Sequence, residues 1–318
     1  MSKLKLLELF GGIGACSKAF ERIGINYEIV DYVEIDKYAV KSYNSIHGTN
    51  FEPQDITSWN KDIEVDMIMH GSPCQDFSLA GKQSGGDKNS GTRSSLMYET
   101  IRIVEKLKPK YVVWENVKNL LSKKHKHNFD AYLETMKQLG YTNYYQVLNA
   151  KDYGIPQNRE RVFTISIRKD IDTGFVFPEK QPLKLKLKDM LEDKVDEKYY
   201  LSDKMINYIS ADNEKWTGNT DLKVIRKYGI FDTEKSTHQA GSVYDGNGLS
   251  PTLDTMQGGY RQPCIEIKNN TKQGYLEAHD CDGFYANVST KRGTIQKDIT
   301  QTLTTFQDKG VVVKDEQN

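Results

Sequence analysis

A cysteine in a polar segment is the residue of this chain best suited to covalent chemistry. Cys74 stands in the run His-Gly-Ser-Pro-Cys-Gln-Asp-Phe-Ser at positions 70–78, directly after the apolar residues 65–69. A strand that ends in a Ser-Pro turn exposes the next side chain at the C-terminal edge of a sheet, where open α/β folds bind ligands. A reachable thiol there can attack as its thiolate. The alternative, a small buried hydrophobe, is disfavoured because mostly glycine and polar residues fill positions 79–95.

Two further segments place ionisable groups beside predicted strands. Glu115 follows an apolar strand over residues 111–114, where partial desolvation suits a carboxylate to act as a proton donor or hydrogen-bonding acid. A helix-capping carboxylate is the alternative. Arg159 and Arg161 stand two apart at the start of another strand, so both project to one side and can grip a base carbonyl or a phosphate. A surface ion pair with Glu160 or another acid is the simpler interpretation of these arginines.

A glycine-rich turn joins the first predicted strand to the first helix. Gly11, Gly12 and Gly14 permit a tight turn and close approach of a nucleotide, but they lack both the GxGxxG spacing and the ending of a phosphate-binding loop. Glu34 is placed to accept hydrogen bonds from ribose hydroxyls and Asp55 from an adenine amine, although either alone is more simply a solvated carboxylate. Together they favour a nucleoside cofactor without a pyrophosphate, which fits S-adenosylmethionine better than NAD.

The composition excludes several classes of protein. The 318 residues, 37% hydrophobic and 28% charged, suit two soluble domains. No apolar run reaches membrane-spanning length, and no signal peptide precedes the first strand pattern. The four cysteines stand far apart without a CxxC pair, so neither a disulfide framework nor a metal site is predicted, and a reducing cytosol fits. The 44 basic and 44 acidic residues cancel, so nucleic-acid binding needs a local basic face.

Residues 1–170 alternate between strand-like and helix-like segments, whereas residues 171–318 do not. Strands are predicted over residues 5–10, 27–33, 65–69, 111–114, 144–148 and 161–167, and helices over 15–23, 37–46, 129–139 and from 95 onward. This alternation predicts an α/β domain with a doubly wound, mostly parallel sheet. The second region is richer in Gly, Asn, Thr and Asp, with two similar short segments. It predicts a loop-rich, mainly β recognition domain.

Taken in order, the motifs of the first region resemble those of the DNA (cytosine-5)-methyltransferase family. The matching segments are the glycine motif at 10–14, Pro-Cys-Gln at 73–75, Glu-Asn-Val at 115–117 and Gln-x-Arg-x-Arg at 157–161. Residues 239–253 are similar to the end of the family's target-recognition domain. The sequence as a whole is most like those of bacterial and phage members. The resemblance implies the S-adenosylmethionine-dependent methyltransferase fold, S-adenosylmethionine as cofactor, duplex DNA as partner and a cytoplasmic, nucleoid-associated location.

The resemblance also implies catalytic roles. Cys74 adds to carbon 6 of a cytosine that has been flipped out of the duplex. Glu115 stabilises the product of that addition at ring nitrogen 3 and the exocyclic amine. Arg161 holds the ring carbonyl, and Arg159 supports the site. The glycine-rich segment after Cys74 closes over the base.

Binding roles are implied for a second set of residues. The cofactor contacts are Phe10, Gly12, Gly14, Glu34, Ile35, Asp55, Ile56 and Leu96. The DNA contacts are Gln75, Ser78, Gln239 and Thr252. Of these, Gln239 is the candidate to fill the space that the flipped base leaves, and Thr252 is placed near a phosphate.

The C-terminal region departs from the family pattern. Members return from the recognition domain through an Arg-x-Leu-Thr-x-x-Glu-like segment to a Gly-Asn-Ser/Ala-Val motif that completes the cofactor pocket. Neither is found before Asn318, and the Gly-Asn pairs at 218–219 and 246–247 lack the following residues. A truncated chain, or one half of a split enzyme completed by a second polypeptide, is expected to bind S-adenosylmethionine weakly by itself. Titration calorimetry showing a micromolar or tighter site would contradict that expectation.

Three other functions remain open. An RNA cytosine-5 methyltransferase shares the Pro-Cys-Gln and Glu-Asn-Val motifs, but the long second region favours DNA. A catalytically inactive DNA-binding protein is favoured by the C-terminal departure and opposed by Cys74 and Glu115. An NAD-dependent oxidoreductase rests on the glycine turn alone. A cognate restriction endonuclease is a candidate partner. The basic run at 123–127 either follows DNA phosphates or is a solvated turn.

Overall fold

The structure is a computed structural model that divides into two compact units. It describes residues 3–73, 92–192, 223–229, 241–253, 263–266, 286–287, 292–293 and 299–301. The first unit comprises Met1–Leu148 and Glu160–Glu179, and the second comprises Asn149–Arg159 and Lys180–Asn318. The sequence places a single boundary after residue 170. The contacts instead give residues 171–179 to the first unit and residues 149–159 to the second.

The first unit is an α/β fold built on a six-stranded sheet. Its strands are β1 (Leu4–Leu9), β2 (Tyr27–Val33), β3 (Met67–His70), β4 (Tyr111–Val117), β5 (Tyr141–Asn149) and β6 (Glu160–Arg168), and its α-helices are α1 (Ala15–Ile23), α2 (Lys37–His47), α3 (Met97–Leu107) and α4 (Lys126–Gln138). The strand order is β2-β1-β3-β4-β6-β5. β1 runs parallel to β2 and β3, β3 parallel to β4, and β6 antiparallel to β4. The predicted α/β fold with a mostly parallel sheet is confirmed.

The strands of this sheet are apolar because helices cover it. In β1, Leu6, Leu7 and Leu9 are fully buried, which is typical of parallel strands packed on both faces. In α3 the buried residues are Met97, Thr100, Ile101, Ile103 and Val104, the spacing of one helical face. The apolar members of this helical face join one hydrophobic cluster with Leu7 and Leu9 of β1, Ile68 of β3, and Val112 and Trp114 of β4. The core therefore fixes the sheet, and the polar residues collect where the strands end.

The parallel pairing brings several strand ends to one edge, here named the carboxyl edge. His70 at the end of β3 pairs with Trp114 of β4, so residues 71–73 leave the sheet beside residues 115–117, which continue β4 and pair with β6. Because β6 is antiparallel, its first residues return to this same edge, where Arg161 pairs with Val117. The carboxyl edge thus gathers three of the predicted motifs.

Helix α4 begins earlier than the apolar periodicity predicts. The pattern indicates a start at Phe129, whereas the helix starts at Lys126. Its first turn contains exposed Lys126 and His127 and only one deeply buried polar residue, Asn128. A helical turn without an apolar stripe leaves no periodic signal.

The second unit, in its described residues, consists of short strands, the 3-10 helices Ala150–Tyr153 and Leu187–Met190, and loops. A four-stranded sheet has the order β12-β9-β8-β7, and β10 pairs with β11. The strands are β7 (Arg226–Gly229), β8 (Ser242–Asp245), β9 (Cys264–Glu266), β10 (Ala286–Asn287), β11 (Arg292–Gly293) and β12 (Ile299–Gln301). Among the helices that the structure describes in either unit, none has the length and apolarity needed to cross a membrane.

Candidate active site

The glycine turn between β1 and α1 has positive φ angles, which residues with a side chain rarely adopt. Gly12 and Gly14 have φ values of +55° and +86°, and Phe10 has φ +53°, which is costly for a residue with a side chain. A Cβ added to Gly11 would lie 2.6 Å from the Tyr32 ring, whereas one added to Gly12 would meet nothing within 4 Å. The turn is therefore packed against the sheet at Gly11 and open at Gly12.

A buried carboxylate holds the start of α1. Glu8 is 1% exposed and accepts hydrogen bonds from the Ser17 backbone N–H at 2.9 Å and the Tyr43 hydroxyl at 2.7 Å. Burial raises its pKa, and these hydrogen bonds offset part of that rise. Gly14 has no side chain to cap the helix, so Glu8 supplies an acceptor for one of the unpaired N–H groups of the first turn.

Glu34 closes the opposite side of the glycine turn. Its Oε2 accepts from the Gly12 N–H at 3.2 Å, and its Oε1 accepts from the N–H groups of Ile35 and Asp36 at 2.9 and 3.0 Å. Asp36 in turn caps α2 by accepting from the Tyr38 N–H at 2.7 Å. The structure thus brings two of the predicted cofactor residues, Gly12 and Glu34, into direct contact.

Asp31 anchors the segment that contains Asp55. Its carboxylate is 3% exposed and accepts from Gln54 Nε2 at 2.9 Å, Trp59 Nε1 at 2.7 Å and Lys61 Nζ at 2.8 Å. Burial disfavours its charged form, but these three donors outweigh burial and lower the pKa of Asp31. The Gln54 N–H also donates to the Glu34 carbonyl at 2.8 Å. Asp55 is therefore fixed next to the strand end that carries Glu34.

The remaining predicted cofactor residues differ in exposure. Ile35 is 61% exposed at the end of β2, whereas Ile56 is 5% exposed and belongs to the core cluster. Leu96, at the end of a 3-10 helix, is partly buried against that cluster. The buried side chain of Ile56 thus anchors the segment that contains Asp55 to the core.

The segment that leads to Cys74 is tied to β4. Ser72 is 3% exposed; its Oγ accepts from Trp114 Nε1 at 2.9 Å, and its carbonyl accepts from Asn116 Nδ2 at 3.3 Å. Two residues of β4 on either side of Glu115 therefore fix the chain two positions before Cys74. Cys74, Gln75 and Ser78 lie outside the described residues.

Glu115 and Arg161 form an ion pair at the carboxyl edge. Arg161 Nε lies 3.0 Å from Glu115 Oε1, and their side chains are 16% and 32% exposed. Glu115 also lies beside the chain leaving β3, since a Cβ added to Gly71 would be 3.7 Å from Oε2. The structure thus brings together two of the predicted catalytic residues, next to the segment that precedes Cys74.

Arg159 and Thr252 belong to the second unit. The Arg159 N–H donates to Asn149 Oδ1 at 3.1 Å, and the Thr252 hydroxyl donates to the Asn158 carbonyl at 2.8 Å. The Ser250 N–H donates to the Pro156 carbonyl at 2.8 Å. Residues 149–159 and 250–252 are therefore one bonded assembly within this unit. Gln239 lies outside the described residues.

Several residues that shape the site were not singled out from the sequence. Asp31, Ser72 and Asn116 act through buried hydrogen bonds. Of the three, only Asn116 could have been found from the sequence, because it lies next to Glu115 in the Glu-Asn-Val motif. His70 is another. It is 3% exposed, its ring stacks on Trp114 with centroids 5.7 Å apart, and burial lowers its pKa to about 3.

Comparisons with known proteins place the chain in a family. The C-5 cytosine-specific DNA methylase family matches residues 4–309. Orphan methyltransferase M.SPRI of Bacillus phage SPR is 33% identical over a 307-residue alignment that covers 86% of this chain and 69% of the relative. The chain belongs to the C-5 cytosine-specific DNA methylase family.

Other similarities agree with membership of this DNA methylase family. Type II methyltransferase M.HhaI of Haemophilus parahaemolyticus is 35% identical over 286 residues, covering 88% of this chain and 83% of the relative. A solved Spodoptera frugiperda DNMT2 variant has a TM-score of 0.60 at 20% identity, covering 84% of this chain and 76% of that one. A putative DNA modification methyltransferase from an E. coli prophage has a TM-score of 0.57 at 20% identity, covering 81% and 84%. These two structures show the fold.

A cytosine-C5 DNA methylase uses S-adenosylmethionine as its methyl donor, and the glycine turn fits such a group. The turn is open at Gly12, where no atom lies within 4 Å of an added Cβ. Carboxylates at the ends of adjoining segments, Glu34 and Asp55, supply hydrogen-bond acceptors, and neither position offers the cationic or Gly-Lys chemistry that binds phosphates. These residues suit a nucleoside rather than a dinucleotide.

Proposed function

We propose that this enzyme methylates carbon 5 of a cytosine flipped out of a specific duplex DNA sequence, through a covalent adduct with Cys74. The observation that supports this most strongly is the Glu115–Arg161 ion pair beside the anchored Ser72 segment. Flipping costs a few kcal/mol of unstacking, which contacts with the extruded base and the DNA must offset.

Each residue of the carboxyl edge has a defined task in this proposal. The Cys74 thiolate forms a bond to carbon 6 of the ring, and the electron pair of the 5,6 double bond becomes available at carbon 5. Glu115 stabilises the charge that reaches ring nitrogen 3 by hydrogen bonding there and at the exocyclic amine. Arg161, whose Nε lies 3.0 Å from Glu115, orients that carboxylate and binds the ring carbonyl oxygen.

The bond to Cys74 is broken at the end of the reaction. When carbon 5 carries both the new methyl group and its original hydrogen, a base removes that proton and the electron pair expels the Cys74 thiolate. The 5,6 double bond re-forms and the enzyme is regenerated. S-adenosylmethionine, when bound, would supply an electrophilic methyl group to carbon 5, and its sulfonium would become a neutral thioether as the carbon–sulfur bond breaks. The cradle proposed to hold it consists of Phe10, Gly12, Gly14, Glu34, Ile35, Asp55, Ile56 and Leu96.

The second region is proposed to recognise the target sequence. Its described residues form short strands and loops, and base-edge contacts in DNA-binding proteins come from such positioned side chains. In this scheme Gln239 fills the space left by the flipped base, Thr252 lies near a phosphate, and Gln75 and Ser78 contact DNA beside Cys74. Arg159 supports the catalytic residues. The enzyme acts in the cytoplasm at the nucleoid, with a cognate restriction endonuclease as its counterpart.

Transfer of labelled methyl from S-adenosylmethionine to mixed-sequence duplex DNA tests the proposal. The expected result is label on carbon 5 of cytosine with the wild-type chain and none with Cys74→Ser. The variant should unfold at the same temperature as the wild type, which shows that it is folded. A parallel reaction with transfer RNA separates the substrates. Label in RNA but not in DNA contradicts the DNA assignment, and label that persists with Cys74→Ser contradicts the adduct.

A further inference from the structure

A lysine-rich turn lies at the carboxyl edge and has no part in the chemistry described above. Residues 122–127, here named the basic turn, read Ser-Lys-Lys-His-Lys-His. The basic turn follows β4 and the 3-10 helix Lys118–Leu121, and α4 then runs back from it. Since β4 ends at the carboxyl edge with Val117 paired to Arg161, the basic turn projects from the edge that carries Glu115.

Buried neighbours hold the backbone of the basic turn in place. His125 and Asn128 are each 1% exposed, and Leu120 and Phe129 are fully buried. The Ser122 carbonyl accepts from the N–H groups of His125 and Lys126, at 3.0 and 2.8 Å. The exposed lysines therefore stand on a backbone fixed by packing and hydrogen bonds, which reduces the entropy lost when they bind a ligand.

Two lysines of the basic turn differ from their neighbours in pairing. Lys118 lies 2.9 Å from Glu160, and Lys126 lies 2.6 Å from Asp130. Within the described part of the chain, Lys123 and Lys124 have no carboxylate at ion-pairing distance. Both are exposed. The chain as a whole has no net charge, so these two adjacent ammonium groups are a local feature and not a consequence of general basicity.

We propose that Lys123 and Lys124 bind the phosphate backbone of the duplex whose cytosine enters the site. This inference rests on the proposed function, and it adds a positioning surface on the catalytic unit to the recognition role proposed for the second region. A duplex that delivers a base to the carboxyl edge must present its phosphates there. Lysine contacts of this kind are independent of sequence and release counterions.

The salt dependence of DNA binding measures these contacts. Each phosphate neutralised on duplex DNA contributes about 0.9 to the slope of log K against log salt concentration. The double variant Lys123→Ala/Lys124→Ala is therefore expected to reduce the slope by about 1.8 on a mixed-sequence duplex. The reduction should be equal on duplexes of different sequence.

A matched control removes two charges from the opposite edge. Lys137 lies near the end of α4, 3.9 Å from Glu134, and Lys169 directly follows β6; both are exposed. Lys137→Ala/Lys169→Ala should leave the slope unchanged, although it alters net charge equally. The inference is overturned if the salt slope of Lys123→Ala/Lys124→Ala equals that of the wild type, or if the control variant shows the same reduction in slope. In either case the proposed function still stands as long as the wild-type chain methylates duplex DNA. A wild-type chain that neither binds nor methylates duplex DNA overturns both.

Discussion

The carboxyl edge of the first unit has two halves that hold their carboxylates in different ways. Around β1 and β2, Glu34 accepts three backbone N–H groups and Glu8 accepts one together with the Tyr43 hydroxyl. Around β3, β4 and β6, Glu115 is paired with the side chain of Arg161. The first half is therefore tied by main-chain donors, and the second by an ion pair between side chains.

Under the proposed function, this difference separates the residues that bind the cofactor from those that carry out the chemistry. A carboxylate bonded to backbone N–H groups cannot change partners unless the turn itself rearranges, so the half at β1 and β2 is suited to a preformed cradle. Glu115 and Arg161 can each turn to a base, because rotation of a side chain is enough. Substitutions in the first half should raise the KM for S-adenosylmethionine, whereas substitutions in the second should lower kcat.

Glu115→Gln should have the largest effect on the methylation rate. It removes the acid from the half at β4, and losing a positioned acid typically costs about 10²–10⁴ in rate. The Kd for S-adenosylmethionine, measured by titration calorimetry, should remain at the wild-type value. Glu160→Gln is the matched control, since Glu160 pairs with Lys118 at the same edge. Equal rate losses in both variants would remove the distinction between Glu115 and its surroundings.

Alanine at the two adjacent glycines tests the cradle. Gly12→Ala should weaken S-adenosylmethionine at least about tenfold, because the methyl group enters open space in the turn, while its φ of +55° costs stability only about 1–2 kcal/mol. Gly11→Ala should instead cost about 1–3 kcal/mol of unfolding free energy, because its Cβ meets the Tyr32 ring at 2.6 Å. Calorimetric titration and thermal unfolding distinguish the two. Wild-type cofactor affinity in Gly12→Ala would show that the turn is not the cradle.

Asp31→Asn should raise the KM for S-adenosylmethionine and leave kcat unchanged. The variant loses the ion pair with Lys61 and weakens the hold on Gln54, next to Asp55. The loss of a hydrogen bond to a charged group is worth about 1.5–3 kcal/mol, equivalent to a KM roughly 10–100 times higher if all of it were expressed at the cofactor site. Asp66→Asn, which breaks the 2.7 Å pair with Lys110 at the other edge, should leave KM unchanged. A KM increase in both variants would indicate a general loss of stability.

The smallest effect on activity at neutral pH is expected at His70. Burial lowers its pKa from 6.5 to about 3, so below pH 6.5 the unfolded chain takes up a proton that the folded chain does not. The contribution of His70 to the free energy of unfolding is therefore fully present above pH 6.5, the pKa in the unfolded chain. It falls by about 1.4 kcal/mol per pH unit as the pH is lowered from there toward the pKa of the folded chain, about 3. His70→Asn should show a shallower loss of stability in acid, measured by denaturant unfolding at several pH values. Identical pH slopes would contradict the buried, neutral imidazole.

The sequence predicts the parts of this arrangement that depend on local pattern. Helix α1 lies between Gly14 and Gly24, helix α2 lies between Asp36 and Gly48, and their predicted starts at Ala15 and Lys37 match the structure. Glu34 and Glu115 were predicted at strand ends because a parallel sheet collects those ends at one edge. The family resemblance supplied the catalytic roles, which spacing alone left undecided.

The remaining contacts join residues that are distant in the chain. Asp31 meets Trp59 across 28 positions, and Ser72 meets Trp114 across 42, so no local pattern announces either bond. The place of residues 149–159 in the second unit is similar. There the Ser250 N–H donates to the Pro156 carbonyl, and the Asn158 N–H donates to the Ser250 carbonyl. Pairings of this kind are set by the tertiary fold and not by propensity.

Covalent trapping tests most directly that the half at β3 and β4 performs the chemistry. 5-Fluorocytosine in the duplex carries fluorine in place of the hydrogen at carbon 5. A base cannot remove the fluorine as it removes a proton, so the methylated ring remains bonded to the attacking residue. With S-adenosylmethionine present, the wild-type chain should give a denaturant-resistant complex whose mass is the sum of protein, DNA and one methyl group, with Cys74 at the bond. Cys74→Ser should give none, and Glu115→Gln should give it slowly despite normal cofactor binding. A complex formed by Cys74→Ser, or none formed by a wild-type chain that methylates ordinary DNA, would contradict this account.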